Sequence, residues 1–435
     1  MWAAALLGVK PIPPILSRSL NRQKLGLLTE SGATRTSLTY VKNNHISISD
    51  ENRSQAATIV ALISCLSIYG VTISLFTPLL SLLLEQRGTS STAIGVLAMS
   101  APTGVLIGSF LMPRVMKAFE GRNLLVGGVL VEILLIGALM ATDSFAGWML
   151  IRFLAGLTGT VLFIVSETWL VEIAPARSRG KIMGLYNTAL ALSFSVGPLI
   201  LSYTGVIGAT PFVVAIILMA VAGAPLFFAG RYRSVSAAKP RFGIIGFVAV
   251  APLLVFAIFA GAFKDLASAS LMPVYGLRMG MTESSAALML FFGALGGAIM
   301  QLPIGWAADH FSARRIFFMC AVMGVLGAVA WPLMIHHEVL LWTMLFLWAG
   351  FYAGFYTVAM ILAGQWFKGS ELATAMSAFG VFWGLGAFAG PLVGGLAMDI
   401  WNPYGLPLVL SIVSIGVLAM SLAGRAYQPK RSSQS

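Results

Sequence analysis

Charge is scarce in this chain. Only 10% of its 435 residues are charged, against roughly 25% in soluble domains, which excludes an ordinary soluble protein. With 58% hydrophobic residues and a mean hydropathy of +0.90, disorder over most of the length is excluded as well. Acids are rarer than bases: 15 Asp+Glu against 27 Lys+Arg, a net charge of +12. In so apolar a chain that excess marks cytoplasmic loops, not a nucleic-acid partner. Cysteine is nearly absent. Cys65 and Cys320 both sit in apolar runs, so a disulfide framework, a zinc site and a redox pair lack support, and no metal is expected. There is no P-loop, which argues against ATP as the energy source. The Gly-rich stretches lie inside apolar runs with no preceding strand, which excludes a dinucleotide fingerprint. No nucleophile, base and orienter set can be assembled, so neither an enzyme nor a cofactor is expected.

What is present is a series of apolar runs, each near the 20 residues a membrane helix needs. The spans read as 57–84, 92–117, 122–141, 145–173, 178–203, 210–231, 244–274, 284–308, 314–335, 339–366, 371–398 and 404–424. The runs are continuous rather than alternating, so the fold class is an all-α membrane protein of twelve helices. Basic residues gather on alternate loops. One side carries Arg114, Lys117, Arg122, Arg177, Arg179, Lys181, the 231–241 cluster, Arg314, Arg315, Lys368 and both tails; the opposite loops carry only Arg87 and Arg278. That bias predicts cytoplasmic termini in the cytoplasmic (inner) membrane. Residues 1–55 hold seven basic residues and no acid before Glu30. Their Arg- and Ser-rich composition loosely fits a transit peptide, but a disordered cytoplasmic tail is the expected reading.

The two halves repeat. Gly156 precedes Gly197-Pro198 by 41 residues, and Gly350 precedes Gly390-Pro391 by 40. The offset between copies is 194 and then 193, and Gly108 with Gly305 adds a third pair at 197. Two six-helix bundles are therefore expected, at 56–231 and 244–424, joined by a cytoplasmic linker at 232–243 and followed by a tail at 425–435. Parallel six-span halves describe a transporter architecture with its binding site near the midplane. Gly197, Pro198, Gly390 and Pro391 serve close packing, with bends at the prolines as the alternative.

At this point the chain, over about residues 57–424, resembles the major facilitator superfamily. Gly305-Trp-Ala-Ala-Asp309-His-Phe-Ser-Ala-Arg314-Arg315 is similar to the family's loop motif between spans 8 and 9. In the first-half copy, Gly108-Ser-Phe-Leu-Met112-Pro113-Arg114, Met112 stands where the resemblance leads one to expect Asp. Arg152-Phe-Leu-Ala-Gly156 resembles a span-4 motif linked with proton coupling. Val165-Ser-Glu167-Thr-Trp169-Leu-Val-Glu172 and Arg179-Gly180-Lys-Ile-Met-Gly-Leu-Tyr186 resemble the YcaD-type branch, together with Met112-Pro-Arg-Val and Gly121-Arg122. The resemblance implies a two-bundle transporter energised by an ion gradient, with Asp309, Arg314 and Arg315 as a cytoplasmic charge latch. It supplies no substrate.

Few charges lie away from the ends of the spans, among them Glu132, Arg152, Glu167, Glu172, Lys264 and Asp265. Each costs roughly 2.5–3.5 kcal/mol on insertion scales, so each needs a cavity or a partner. Arg152 is expected either to pair with Glu132 or to bind an anionic substrate; being always protonated, it does not carry the proton. Glu167 lies about 22 Å further along the same helix, near its cytoplasmic end. Glu167 and Glu172, with Arg179 and Lys181, read as a cytoplasmic gate; Glu167 also reads as a proton site, and neutralisation by the next loop is the plainer alternative. Lys264 and Asp265 fall toward the outer end of span 7. Adjacent helical residues point about 100° apart, so a face-to-face pair is not expected; Asp265 is the second-half candidate for a proton or cation, with an outer, solvated residue as the alternative. Trp306, Trp366 and Trp401 suit interface anchoring. Trp383, Tyr356, Phe351 and Gln301 are candidates to line a cavity, against a default of core packing.

The function these residues predict is a monomeric secondary transporter working by alternating access, coupled to protons, that exports a small amphipathic or anionic solute. Uptake is the rival within that class. A transporter-like sensor or scaffold is the rival outside it, with Met112 as its only sequence hint.

Overall fold

The computed structural model describes residues 35–175, 178–230, 248, 250–367 and 370–423. Among them are twelve helices long and apolar enough to cross a membrane, and no strand. They are α1 (Arg35–Gln86), α2 (Ser91–Ala118), α3 (Gly121–Ala141), α4 (Phe145–Ile173), α5 (Arg179–Thr204), α6 (Thr210–Gly223), α7 (Pro252–Arg278), α8 (Glu283–His310), α9 (Ala313–Ala330), α10 (Glu338–Trp366), α11 (Ser370–Ile400) and α12 (Gly405–Ala423). Polar side chains fix several starts. The hydroxyls of Ser90, Ser144 and Thr282 accept from backbone N–H groups in the first turns of α2, α4 and α8, satisfying donors that a helix leaves open.

Some helix ends depart from the expected runs, and prolines or their absence explain them. Span 7 is helical at 248 and 250 and breaks at Ala251, which the following proline holds out of the helical region (φ −137°, ψ 56°); α7 then runs from Pro252 to Arg278, and the expected start at 244 lies outside the described residues. Spans 6 and 9 tighten into 3-10 turns, Ala224–Phe228 and Trp331–Met334, each with a proline in its first two positions. The tail expected to be disordered over 1–55 is helical from Arg35. No proline or glycine interrupts residues 35–54, so the helix of span 1 propagates backward through them. Residues 1–34, the linker at 232–243 and the tail beyond 424 lie outside the described residues.

Packing repeats in the two halves. α1 packs on α5, α2 on α4, α3 on α4 and α6; in the same order α7 packs on α11, α8 on α10, α9 on α10 and α12. Glycines make the closest approaches. A Cβ on Gly156 of α4 would collide with the Ala101 carbonyl of α2, and one on Gly296 of α8 with the Phe346 carbonyl of α10. Gly197 of α5 sits against α1, and Gly390 of α11 against the Phe263 carbonyl of α7. Gly108 faces Thr160, and Gly305 faces Thr357. Small residues are what membrane helices need where backbones meet.

The halves meet through α2 on α11, α5 on α8, and α7 on α1 and α2. This contact is tight at the end remote from the termini and looser toward the terminal end. A Cβ on Gly95 would collide with the Pro391 carbonyl, and one on Gly395 with the Ser91 carbonyl. Nearer the terminal end, a Cβ on Gly384 would stand 4.0 Å from Leu106, and nothing among the described residues comes within 4 Å of one on Gly380.

Candidate functional site

Three groups of polar side chains interrupt the apolar interior. The first lies within the N-terminal half. Glu132 and Arg152 are 4% and 7% exposed, so neither faces lipid. They do not form the direct ion pair anticipated from sequence. Instead the Tyr69 hydroxyl of α1 donates to Glu132 Oε1 at 3.4 Å, and Arg152 Nη2 donates to Thr77 Oγ1 of α1 at 3.3 Å. The charges of Glu132 and Arg152 still act on each other. Arg152 borders a small cavity with Thr77, Leu80, Ser81, Leu97 and Ala98. Tyr69 has its place because Gly159 leaves room for its hydroxyl end.

The second group lies in the C-terminal half. Lys264 and Asp265 occupy the middle of α7, not its outer end, because the helix runs on to Arg278, past the anticipated end. They do form an ion pair: Lys264 Nζ lies 3.0 Å from Asp265 Oδ1. The four-carbon lysine stem spans the angle between neighbouring positions, a reach that backbone directions alone do not express. The Lys264 side chain is 9% exposed and the Asp265 side chain 60%. Lys264 Nζ sits over the rings of Trp348 and Tyr352 of α10, 5.3 and 5.5 Å from their centroids. Those rings are themselves fixed. Trp348 Nε1 donates to the Gly324 carbonyl at 2.9 Å, and the Tyr352 hydroxyl accepts from Ser414 Oγ at 3.2 Å.

The third group draws on both halves. Glu167 of α4 is exposed and accepts a 2.6 Å hydrogen bond from the buried Tyr186 of α5. Tyr356 of α10, in the other half, is 49% exposed. Trp383 and Gln301 are exposed and Phe351 half-buried. At the terminal end Glu172, Arg179 and Lys181 are exposed, and Arg179 Nη2 donates to the last carbonyl beyond α4, that of Ala174, at 3.4 Å. Asp309 is exposed at the α8–α9 turn and makes no ion pair among the described residues. Arg314 is half-buried and Arg315 exposed. Arg177 lies outside the described residues. Gly197 and Pro198 are buried in α5, and Gly390 and Pro391 in α11.

The sequence reading missed a lock at the far end. Arg278 of α7 holds Glu85 of α1 with two hydrogen bonds, 2.7 and 2.8 Å, and reaches Asn402 at 3.0 Å. Asp399 of α11 accepts from the backbone N–H groups of Ser91 and Thr92 at 2.8 Å each and from the Thr92 hydroxyl at 2.6 Å. It thus caps α2 from the opposite half. Gln86 bonds to Glu283, and Ser284 Oγ donates to the Ser202 carbonyl at 3.0 Å. One signal was present: Glu85 and Arg278 are 193 residues apart, the repeat offset itself, so equivalent helix ends meet across the pseudo-twofold axis.

Two like halves of six helices, packed face to face and each holding buried charge, form a transporter architecture. The family model described as Major Facilitator Superfamily matches residues 62–298 and 253–435. The chain belongs to this superfamily. It is therefore a membrane transporter and not an enzyme. Among relatives of this facilitator, the MFS-type transporter YfkF of Bacillus subtilis is 25% identical over 276 residues, 61% of this chain and 69% of YfkF. The MFS-type transporter YcaD of Shigella flexneri is 24% identical over 389 residues, 86% of this chain and 97% of YcaD. In fold the facilitator is similar to the nucleoside transporter NupG (TM-score 0.69, 11% identity, 86% of this chain and 100% of that one). It is likewise similar to a bacterial homolog of the human lysosomal transporter Spinster, solved inward-facing and unoccupied (TM-score 0.65, 14% identity, 85% and 96%).

Proposed function

We propose that this facilitator is a proton-coupled exporter of a small amphipathic or anionic solute, working by alternating access between its two six-helix bundles, 56–231 and 244–424. The loop charges argue for cytoplasmic termini in the cytoplasmic membrane. On that orientation the looser end of the cleft faces the cytoplasm, the state in which an exporter loads. The observation that carries the proposal is Glu167. It is accessible, and it is held by Tyr186 at 2.6 Å. An acid so placed exchanges protons with the cytoplasm in the open state and meets the other half when that end closes. Export follows if the proton delivered from outside leaves Glu167 as solute binds. Glu172, Arg179, Lys181, Asp309, Arg314 and Arg315, at the terminal ends of their helices, act as its gate. The transporter works as a monomer.

The test uses energised inverted vesicles, a pH-sensitive dye and a panel of organic anions, drugs and metabolites. Solute-dependent collapse of the proton gradient is expected for the wild-type protein and not for Glu167→Gln. Solute uptake driven in the opposite sense would establish a symporter instead. Silence from correctly inserted protein across the panel would favour the non-transporting sensor or scaffold.

A further inference from the structure

The Lys264–Asp265 pair is asymmetric in a way that identifies a ligand. Lys264 is the buried member: its side chain is 9% exposed and its ammonium rests on two rings that are pinned by their own hydrogen bonds. Asp265 is the accessible member, with 60% of its side chain exposed. α7 packs on α8, α10, α11 and α12 of its own half and on α1 and α2 of the other, so an exposed group at its middle opens on the space between the halves. Losing a partner costs the two members differently. A released Asp265 is solvated by the cleft. A released Lys264 stays covered, and a buried ammonium without an anion is strongly unfavourable. Whatever replaces Asp265 on Lys264 therefore has to be negative.

We propose that Lys264, seated on Trp348 and Tyr352, is the binding site for the anionic group of the transported solute, and that Asp265 occupies it as a built-in stand-in while the cleft is empty. The solute class is a small organic anion, a carboxylate or sulfonate, with an apolar or aromatic body. Tyr356, one helical turn from Tyr352 and 49% exposed, gives that body a surface on the cytoplasmic side. The inference rests on the transporter reading for the entry of a solute, but not on proton coupling.

Binding of benzoate, salicylate and naphthalenesulfonate to the full-length protein in detergent tests it by calorimetry, without any gradient. Asp265→Asn removes the internal competitor, so at least one probe is expected to bind about three- to tenfold tighter, the scale of a partly exposed ion pair. Lys264→Gln is expected to weaken the same probe by at least about tenfold, and Lys264→Arg to retain it. Gly127→Ala, with open space around it, should leave these affinities unchanged; because they are read without a gradient, the Lys264 and Asp265 variants decide this site whether or not Glu167→Gln abolishes coupling in vesicles, which separates failure of this site from failure of the proton assignment. Should Lys264→Gln not fold, Asp265→Asn decides alone. The inference is overturned if Asp265→Asn binds none of the probes or binds them more weakly. It is equally overturned if Lys264→Gln gains affinity for the cation tetraphenylphosphonium while anion binding is untouched, which would make Asp265 a cation site.

Discussion

Asp399→Ala should release the far end of the cleft. The carboxylate accepts three hydrogen bonds from the start of α2, two of them from backbone N–H groups. A hydrogen bond to a charged acceptor contributes about 1.5–3 kcal/mol when sheltered. Asp399 is exposed, and water satisfies the freed donors, so the whole set is nearer about 1–3 kcal/mol. That shifts the balance between the two cleft states by about 5- to 150-fold. The assay is thiol labelling. Cys65 and Cys320 are both buried, which leaves a quiet background. Ala98 lines the small cavity beside Arg152, two turns inside the locked end. A cysteine introduced by Ala98→Cys should react with a water-soluble maleimide slowly in the parent protein and several-fold faster with Asp399→Ala. Glu85→Gln, which breaks the Arg278 bridge, should accelerate it independently. Equal labelling rates in all three folded proteins would refute the lock.

Other outcomes follow from the same geometry. Gly395→Leu places a side chain against the Ser91 carbonyl, so Ala98→Cys should label faster in that variant too, while solute movement in vesicles is lost. Gly156→Val meets the Ala101 carbonyl inside the N-terminal half and should lower the detergent melting temperature, by about 1–3 kcal/mol of stability; Gly127→Ala, with open space around it, should not. Arg152→Ala removes the contact to Thr77 and the charge nearest the buried Glu132, and is expected to cost about 1–3 kcal/mol. Reduced expression of that single variant, with recovery in an Arg152→Glu/Glu132→Arg pair, would mark a structural tie. Recovery of expression without recovery of solute transport would instead mark a role in transport.

Much of the fold was legible because a membrane forces it: every polar backbone group must be satisfied within its own helix, so twelve apolar runs become twelve helices. Starts were readable where Ser90, Ser144 and Thr282 cap them. The break at Ala251 was missed because hydropathy ignores what Pro252 does to the residue before it. At the site, rarity singled out Glu132, Arg152, Glu167, Lys264 and Asp265. Their partners were illegible. Tyr69, Tyr186, Trp348 and Tyr352 are ordinary members of a chain with 11% aromatic residues, and only packing brings them to a charge. Asp399 and Glu85 escaped notice because acids at helix ends are normally solvated, and their partners lie 307 or 308 and 193 residues away.

The clasp at Gly95 and Gly395 sits near one tip of long rods. α2 has 28 residues and is therefore about 42 Å long. Pivoting there, a tilt of only about 10° sweeps the opposite tip by roughly 6 Å, on a helix rise of about 1.5 Å per residue. The tip nearest the fulcrum hardly moves. Leverage of that kind lets a side-chain event of atomic size at one end become a doorway at the other, with no helix needing to bend or unwind along the way.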